Sequence, residues 1–199
     1  QKNDLKWVKD NLIIAHFEHG IRGKESMRDF DFVRKFANEN NLRFEFERGF
    51  LGENASEEKA RKARYDFLKA LAKRENAEIF TAHHKNDLAE TFVLNLNRGG
   101  GWRAIACFDS PNIKRPFLKF SKAEILNKAQ EKGLKWCEDS TNLSEKYARN
   151  RIRKKINFSE ENLNKIFEIW QKQIKIKREI EEITNDILSK IGDGRKFER

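Results

Sequence analysis

Apolar residues recur along this chain in two periods, one of strand length and one of helical spacing. Residues 12–17 (LIIAHF) form a short apolar run ending at His19-Gly20, and residues 42–46 (LRFEF) alternate apolar with polar positions; both predict strands. Between them Ser26 and Asp29 carry a capping signal, and Phe30, Val33, Phe36 and Ala37 keep the spacing of a helix with one buried face. Asn40-Asn41 ends it. Asn54 opens a second helix extending to Arg74, with Ala60, Ala63, Phe67, Leu71 and Ala72 on one face. Residues 78–83 (EIFTAH) predict a third strand, and residues 87–97 a third helix that stops at Gly99-Gly100-Gly101. Strands alternating with helices imply crossover units, so the expected class is α/β: a mostly parallel sheet flanked by helices, followed by a helical segment.

The later part of the chain is helical in pattern. Pro116 marks an extended segment at 113–118, Ser121 and Glu124 form a capping box for a helix ending at Gly133, and residues 147–156 predict another. After a junction at 157–159, Leu163, Ile166, Phe167, Trp170, Ile174, Ile180, Ile183, Ile187 and Ile191 sustain helical spacing to Gly192. Residues 1–157 thus read as a sheet domain, and 158–199 as a long amphipathic helix, a linker or the start of a helical C-terminal region. One face of that helix is too apolar to stand alone. It is expected to dock on the sheet domain, on further C-terminal sequence, or on another subunit in a homodimer.

Composition narrows the class. Apolar residues make up 38% and charged residues 37%, while sixteen Phe and four Trp supply material for a core, which excludes a disordered chain. No apolar run approaches the roughly 18 residues of a membrane span and no signal-peptide pattern opens the chain, so a cytoplasmic protein without a membrane partner is expected. Cys107 and Cys137 lack metal-ligand spacing and read as reduced thiols. The only methionine is Met27, so sequence ahead of Gln1 is expected. A net charge of +10 points to polyanions, nucleic acid first.

Three constellations carry candidate chemistry. In AHHKNDLAET (82–91), His83, His84, Asn86, Asp87 and Glu90 fall where a strand leads into a helix, the position at which open parallel sheets bind ligands. Asp87 as N-cap with Glu90 three residues on also makes a plain capping box, and both readings can hold together. Adjacent histidines are poorly placed to chelate one ion, which disfavours zinc. In NASEEKARKARY (54–65), Glu57, Arg61 and Arg64 share a helical face, either as a solvated ion-pair ladder or as a fork for phosphate. KYARNRIRKK (146–155) has six basic residues and no acidic one. Such a face repels itself unless a polyanion neutralises it, with affinity that then falls steeply with salt. Gly99–Gly101 follows a helix and lacks a G-x-x-x-x-G-K-[ST] pattern, so it reads as a helix stop.

In this order the segments resemble the tRNA(Ile)-lysidine synthetases of the PP-loop (N-type ATP pyrophosphatase) superfamily. The resemblance runs over residues 12–157. It rests on His19-Gly20-Ile21-Arg22 (HGLR in the family), residues 60–65 (ARxxRY), residues 83–91 (HHxDDxxET), Arg98 with its glycines, residues 115–118 (RPFL), residues 139–142 (DSTN) and residues 149–153 (RNxIR). It implies an adenine nucleotide α-hydrolase-like fold, ATP and Mg2+ as cofactors, and isoleucine tRNA with a CAU anticodon and free L-lysine as partners. Residue by residue, it implies catalytic roles for Asp87, Glu90 and Arg64, with Asp87 also the metal ligand. His19, Arg22 and His83 would lie at the nucleotide, and Arg115, Asn142, Arg149, Asn150 and Arg153 would hold the substrate.

Three departures matter. Asn86 replaces the first Asp of the family's pair, and Gly100 replaces a serine. The pyrophosphate-gripping SGGxDS loop is not in the sequence and is expected ahead of the strand at Leu12, so the chain as printed is expected not to turn over ATP. Two other readings compete: a PP-loop enzyme that thiolates cytidine, which would call for CxxC pairs, and a non-catalytic RNA-binding module, which would leave AHHKNDLAET unexplained.

Overall fold

A computed structural model of the chain describes residues 2–21, 23–52, 55–137, 148–156 and 158–191. They divide into two compact units, residues 1–79 with Trp136 and Cys137, and residues 80–135 with those described from 148 onward.

The first unit is built on two strands, β1 (Ile13–Glu18) and β2 (Arg43–Arg48), paired in parallel with Ile13 opposite Arg43 and Glu18 opposite Arg48. Helix α1 (Lys2–Asn11) precedes them, and α2 (Lys24–Glu39) makes the crossover that parallel pairing requires. Phe30 is the centre of this packing. It is buried in α2 with its ring 5.0 Å from Phe46, 5.7 Å from Phe44 and 5.7 Å from His16. Helix α3 (Glu57–Glu75) lays Phe67 5.9 Å from Phe17 of β1. Its first residue is Glu57, capped by Ser56, whose Oγ accepts from the Lys59 amide; the Asn54 start expected from sequence lies outside the described residues. Its last turn is tied to β2 by Arg43, which grips both oxygens of Glu75 at 2.5 and 2.8 Å, and by Arg74 donating to Glu45 at 2.7 Å. The Arg43 and Arg74 hydrogen bonds hold the Glu75 carboxyl down to about 2.

The boundary between the first unit and the second falls within β3 (Ile79–Phe80), which pairs with β4 (Ile113–Lys114). The expected strand at 78–83 is therefore shortened to two residues. Thr81 still donates its amide to the Lys114 carbonyl, after which the chain leaves the ladder towards α4 (Lys85–Asn97). Short helix α5 (Trp102–Ile105) comes next, and the expected extended segment 113–118 becomes β4 plus a 3-10 turn at Pro116–Lys119. Helix α6 (Lys122–Glu131) starts with the expected capping box: the Ser121 amide donates to Glu124 at 2.6 Å and the Glu124 amide to Ser121 Oγ at 3.2 Å. Helices α7 (Ala148–Lys155) and α8 (Glu160–Ile191) complete the unit.

Helix α4 is the core of this unit, with Leu88 and Ala89 fully buried and α5, α7, α8 and the 3-10 turn packed round it. Of the docking partners expected for the long helix, the first half of α8 has found one in α4 and α5. Leu163 and Ile174 are buried, Trp170 donates its indole N–H to the Cys107 carbonyl at 2.6 Å, and Lys177 and Arg178 both clasp Asp109 at 2.9 Å. Past Arg178 the apolar stripe Ile183, Ile187 and Ile191 stays exposed. Among the described residues no helix is long and apolar enough to cross a membrane.

Candidate active site

The junction singled out from sequence is the first turn and a half of α4. Its cap is His84, in extended backbone conformation, and Asp87 is the third helical residue. The sequence expectation of Asp87 as N-cap with Glu90 as its box partner is corrected by this register. Asp87 instead reaches back so that its Oδ2 accepts the His84 amide at 2.9 Å, which satisfies one of the orphan donors of the helix start and sets a carboxylate at its positive end. Among the described residues nothing donates to the other Asp87 oxygen. The His84 ring also turns to Asp87, with Nδ1 3.5 Å from Oδ2. Burial lowers the His84 pKa below its usual 6.5, outweighing the nearby Asp87 and Glu90 charges that oppose this.

Around this turn, successive residues hold different elements. The Lys85 amide donates to Phe120 and its ammonium to Asn164 of α8. Asn86 Oδ1 accepts the Lys122 amide at 2.8 Å, capping α6, so the residue that departs from the family's paired aspartates has a hydrogen-bonding task that needs no charge. Glu90 is 3% exposed and receives two parallel bonds from Arg153 of α7, Nε to Oε1 at 2.7 Å and Nη2 to Oε2 at 3.0 Å. A carboxylate this buried costs several kcal/mol unless it is paired, and a bidentate guanidinium is the pairing that meets both oxygens.

His83 lies beside the turn. Its Nδ1 is 2.9 Å from Thr81 Oγ1, and its ring lies 4.9 Å from that of Phe108. Phe108 adopts a left-handed φ of 63°, a strained conformation for a bulky residue. Arg115 holds it there: Nη1 donates to the Phe108 carbonyl at 2.6 Å and the guanidinium covers the ring at 5.0 Å. The arginine assigned from sequence to substrate thus props the loop on which His83 rests.

The remaining assigned residues divide between the units. In the first unit His19 follows β1 with its ring 5.0 Å from Phe17. Arg64 and Arg61 of α3 both lie over the Tyr65 ring, at 5.6 and 4.9 Å, so the supposed ladder is a cation–π arrangement as well. The buried Tyr65 hydroxyl has no hydrogen-bond partner among the described residues. Arg22 and Asn142 lie outside the described residues. Arg149 and Asn150 belong to the backbone of α7, and their side chains lie outside what is described. Sequence reasoning names both Glu90 and Arg153 but misses their pairing, because nothing in a sequence signals a contact across 63 residues. It passes over Lys85 entirely.

The donor set bears on metal chemistry. Among the described residues no group of three His, Cys, Asp or Glu side chains is arranged to hold an ion. Mg2+ is commonly held by one or two carboxylates with water and substrate phosphates completing the shell. Asp87, with one oxygen uncommitted among the described residues and at a helix N-terminus, suits that role; Glu90, saturated by Arg153, does not.

Comparison with known proteins identifies the family. The profile of the PP-loop domain family matches residues 2–160. A tRNA(Ile)-lysidine synthase of Thermotoga sp. is 40% identical over 158 residues, covering 75% of this chain and 38% of the relative. The tRNA(Ile)-lysidine synthase of Rickettsia bellii is 30% identical over 204 residues, covering 96% of this chain and 46% of the relative. The chain therefore spans less than half the length of these curated relatives. Among solved structures, the U34-tRNA thiolase of Methanococcus maripaludis, described with its [4Fe-4S] cluster, aligns with a TM-score of 0.67 at 18% identity, covering 83% of this chain and 62% of that one. At that identity the likeness speaks for the fold alone. Sequence motifs, parallel β1–β2 architecture and family profile converge, and the chain belongs to the PP-loop family.

Proposed function

We propose that this chain forms the catalytic PP-loop domain of a cytoplasmic tRNA-modifying ligase that makes lysidine. In this reading the C2 oxygen of the wobble cytidine, in an isoleucine tRNA with a CAU anticodon, attacks the α-phosphate of ATP and pyrophosphate leaves. The ε-amine of free L-lysine then attacks C2, the C2–O bond breaks and AMP departs. Bound Mg2+ would supply charge neutralisation at the polyphosphate, and Asp87 is the residue suited to hold it.

The observation that carries the reading is the Glu90–Arg153 pair. It fastens the RNxIR helix, one of the later motifs that favour the lysidine enzymes, to the HHxDDxxET turn. Glu90 then serves by fixing α7, and Arg149 and Asn150 on that helix would meet the RNA. Arg64, His19, Arg22 and His83 would serve the nucleotide and the reacting phosphate, with Asn142 at the substrate and Arg115 acting through Phe108. In this reading residues 1–157 would carry the chemistry, and 158–199 would be a long amphipathic helix, a linker or the start of a helical C-terminal region.

The adenylation half-reaction tests this without lysine. The intact protein should exchange labelled pyrophosphate into ATP only when CAU-anticodon isoleucine tRNA is present. Asp87→Ala should abolish the exchange while costing the fold only about 0.5–2 kcal/mol, the range for loss of a helix-start hydrogen bond. Exchange at full rate in Asp87→Ala, or global unfolding of that variant, would reduce Asp87 to a capping residue.

A further inference from the structure

Lys85 breaks two physical rules at once. It is 6% exposed, although an ammonium withdrawn from water is costly. It also stands in the first turn of α4, where the helix dipole disfavours a cation. Among the described residues the ammonium has one hydrogen-bond acceptor, Oδ1 of Asn164 in α8, at 2.6 Å. The Phe167 ring, nearly one turn further along α8, lies 6.0 Å away. Leucine or methionine would fill this space at lower cost. Residues that oppose local preference are expected where function requires them.

The neighbours show what the contact does. Asn86 fastens the turn to α6 and Glu90 fastens it to α7. Lys85 adds the third brace, to α8, two residues before Asp87. We infer that Lys85 and Asn164 are a positioning couple through which α8 fixes the first turn of α4, and with it the Asp87 carboxylate, for the transfer reaction. The inference rests on the lysidine reading. Neither residue touches the reacting atoms; the couple acts through Asp87.

Lys85→Met keeps the unbranched stem without the charge, and Asn164→Leu removes the acceptor. In single-turnover lysine transfer by the intact protein, each should lower the rate roughly 10- to 100-fold, the scale of a small misplacement of a reacting group. The KM for lysine should stay within about twofold, since the couple reaches the reaction only through Asp87. The double variant should be no slower than the slower single one, because the two act as a unit, and Asn164→Asp, which keeps an acceptor, should retain activity. Unchanged rates in folded Lys85→Met and Asn164→Leu would overturn the couple, and should Lys85→Met fail to fold, the contrast between Asn164→Leu and Asn164→Asp decides alone. A wild-type protein that transfers no lysine refutes the proposed reaction instead. The couple is then read by amide exchange, which should speed up at residues 85–88 in Asn164→Leu and not at the C-terminal end of α4; uniform or unchanged exchange would overturn it.

Discussion

The side chains of greatest consequence are those whose charge is buried or suppressed. Glu90 and Arg153 are unequal partners, since Glu90 is buried whereas Arg153 keeps part of its guanidinium in water. Removing the arginine strands a carboxylate; removing the carboxylate leaves a cation that can turn to solvent. Arg153→Met should therefore destabilise by about 2 kcal/mol or more, and Glu90→Gln by less. Urea unfolding checks the order, and equal losses would mean that the pair is not buried in the working protein. His84 gives a pH signature. With its folded pKa below the usual 6.5, it is neutral in both folded and unfolded states above that value. As pH falls below 6.5 the unfolded chain takes up a proton that the folded one refuses, so stability declines until pH passes the folded value, then levels off. His16, likewise lowered by burial, adds to the same window. Asp109, held down by Lys177 and Arg178 against its own burial, loses its contribution only at more acid pH. His84→Asn keeps a capping side chain without a titrating ring. It should flatten the decline between about pH 7 and pH 5 to the part due to His16, and an undiminished slope would contradict the assignment.

Among the elements, those with a buried apolar face or a cap are legible in the sequence. The Phe30–Ala37 stripe marks α2, Ser121 with Glu124 marks the start of α6, and the isoleucine spacing marks α8 to within a few residues. Helix α1 carries no such mark, because its ten residues are mostly polar and Trp7 remains exposed. The third strand is shorter than its apolar run suggests. Residues 79 and 80 find ladder partners in β4 and Thr81 keeps one hydrogen bond to Lys114, but Ala82 and His83 turn towards α4, and that depends on a partner more than thirty positions away. The Asp87 register escapes the sequence for a related reason: a histidine is an uncommon cap, and the acidic residue draws the assignment. At the level of α7, basic residues have two different tasks. Arg153 is committed to Glu90, so Arg149 is the one expected to meet phosphate. Arg149→Ala should reduce the dependence of log affinity for tRNA on log salt by about one, with little change in stability. An unchanged slope in filter-binding titrations would make Arg149 structural.

At the scale of the whole molecule, the fold class follows from the alternation of strand and helix periods, and the PP-loop family and the candidate turn from motif order, whereas the bracing of that turn does not follow from either. Asn86 to α6, Lys85 to α8 and Glu90 to α7 are contacts across 36 to 79 positions that only the folded chain displays. They make the start of α4 the meeting point of three helices, with one carboxylate, Asp87, left partly uncommitted among the described residues. A net charge of +10 supplies a general attraction to nucleic acid but no reaction. What distinguishes the proposed ligase from a thiolating relative of the same fold is the nucleophile that reaches C2. The decisive measurement incubates the intact protein with ATP, Mg2+, unmodified CAU-anticodon isoleucine tRNA and carbon-labelled lysine. Label should enter the tRNA at the wobble cytidine, with release of AMP and pyrophosphate; ATP-dependent sulfur incorporation at a cytidine without lysine label, or tRNA binding with no modification at all, would contradict the account.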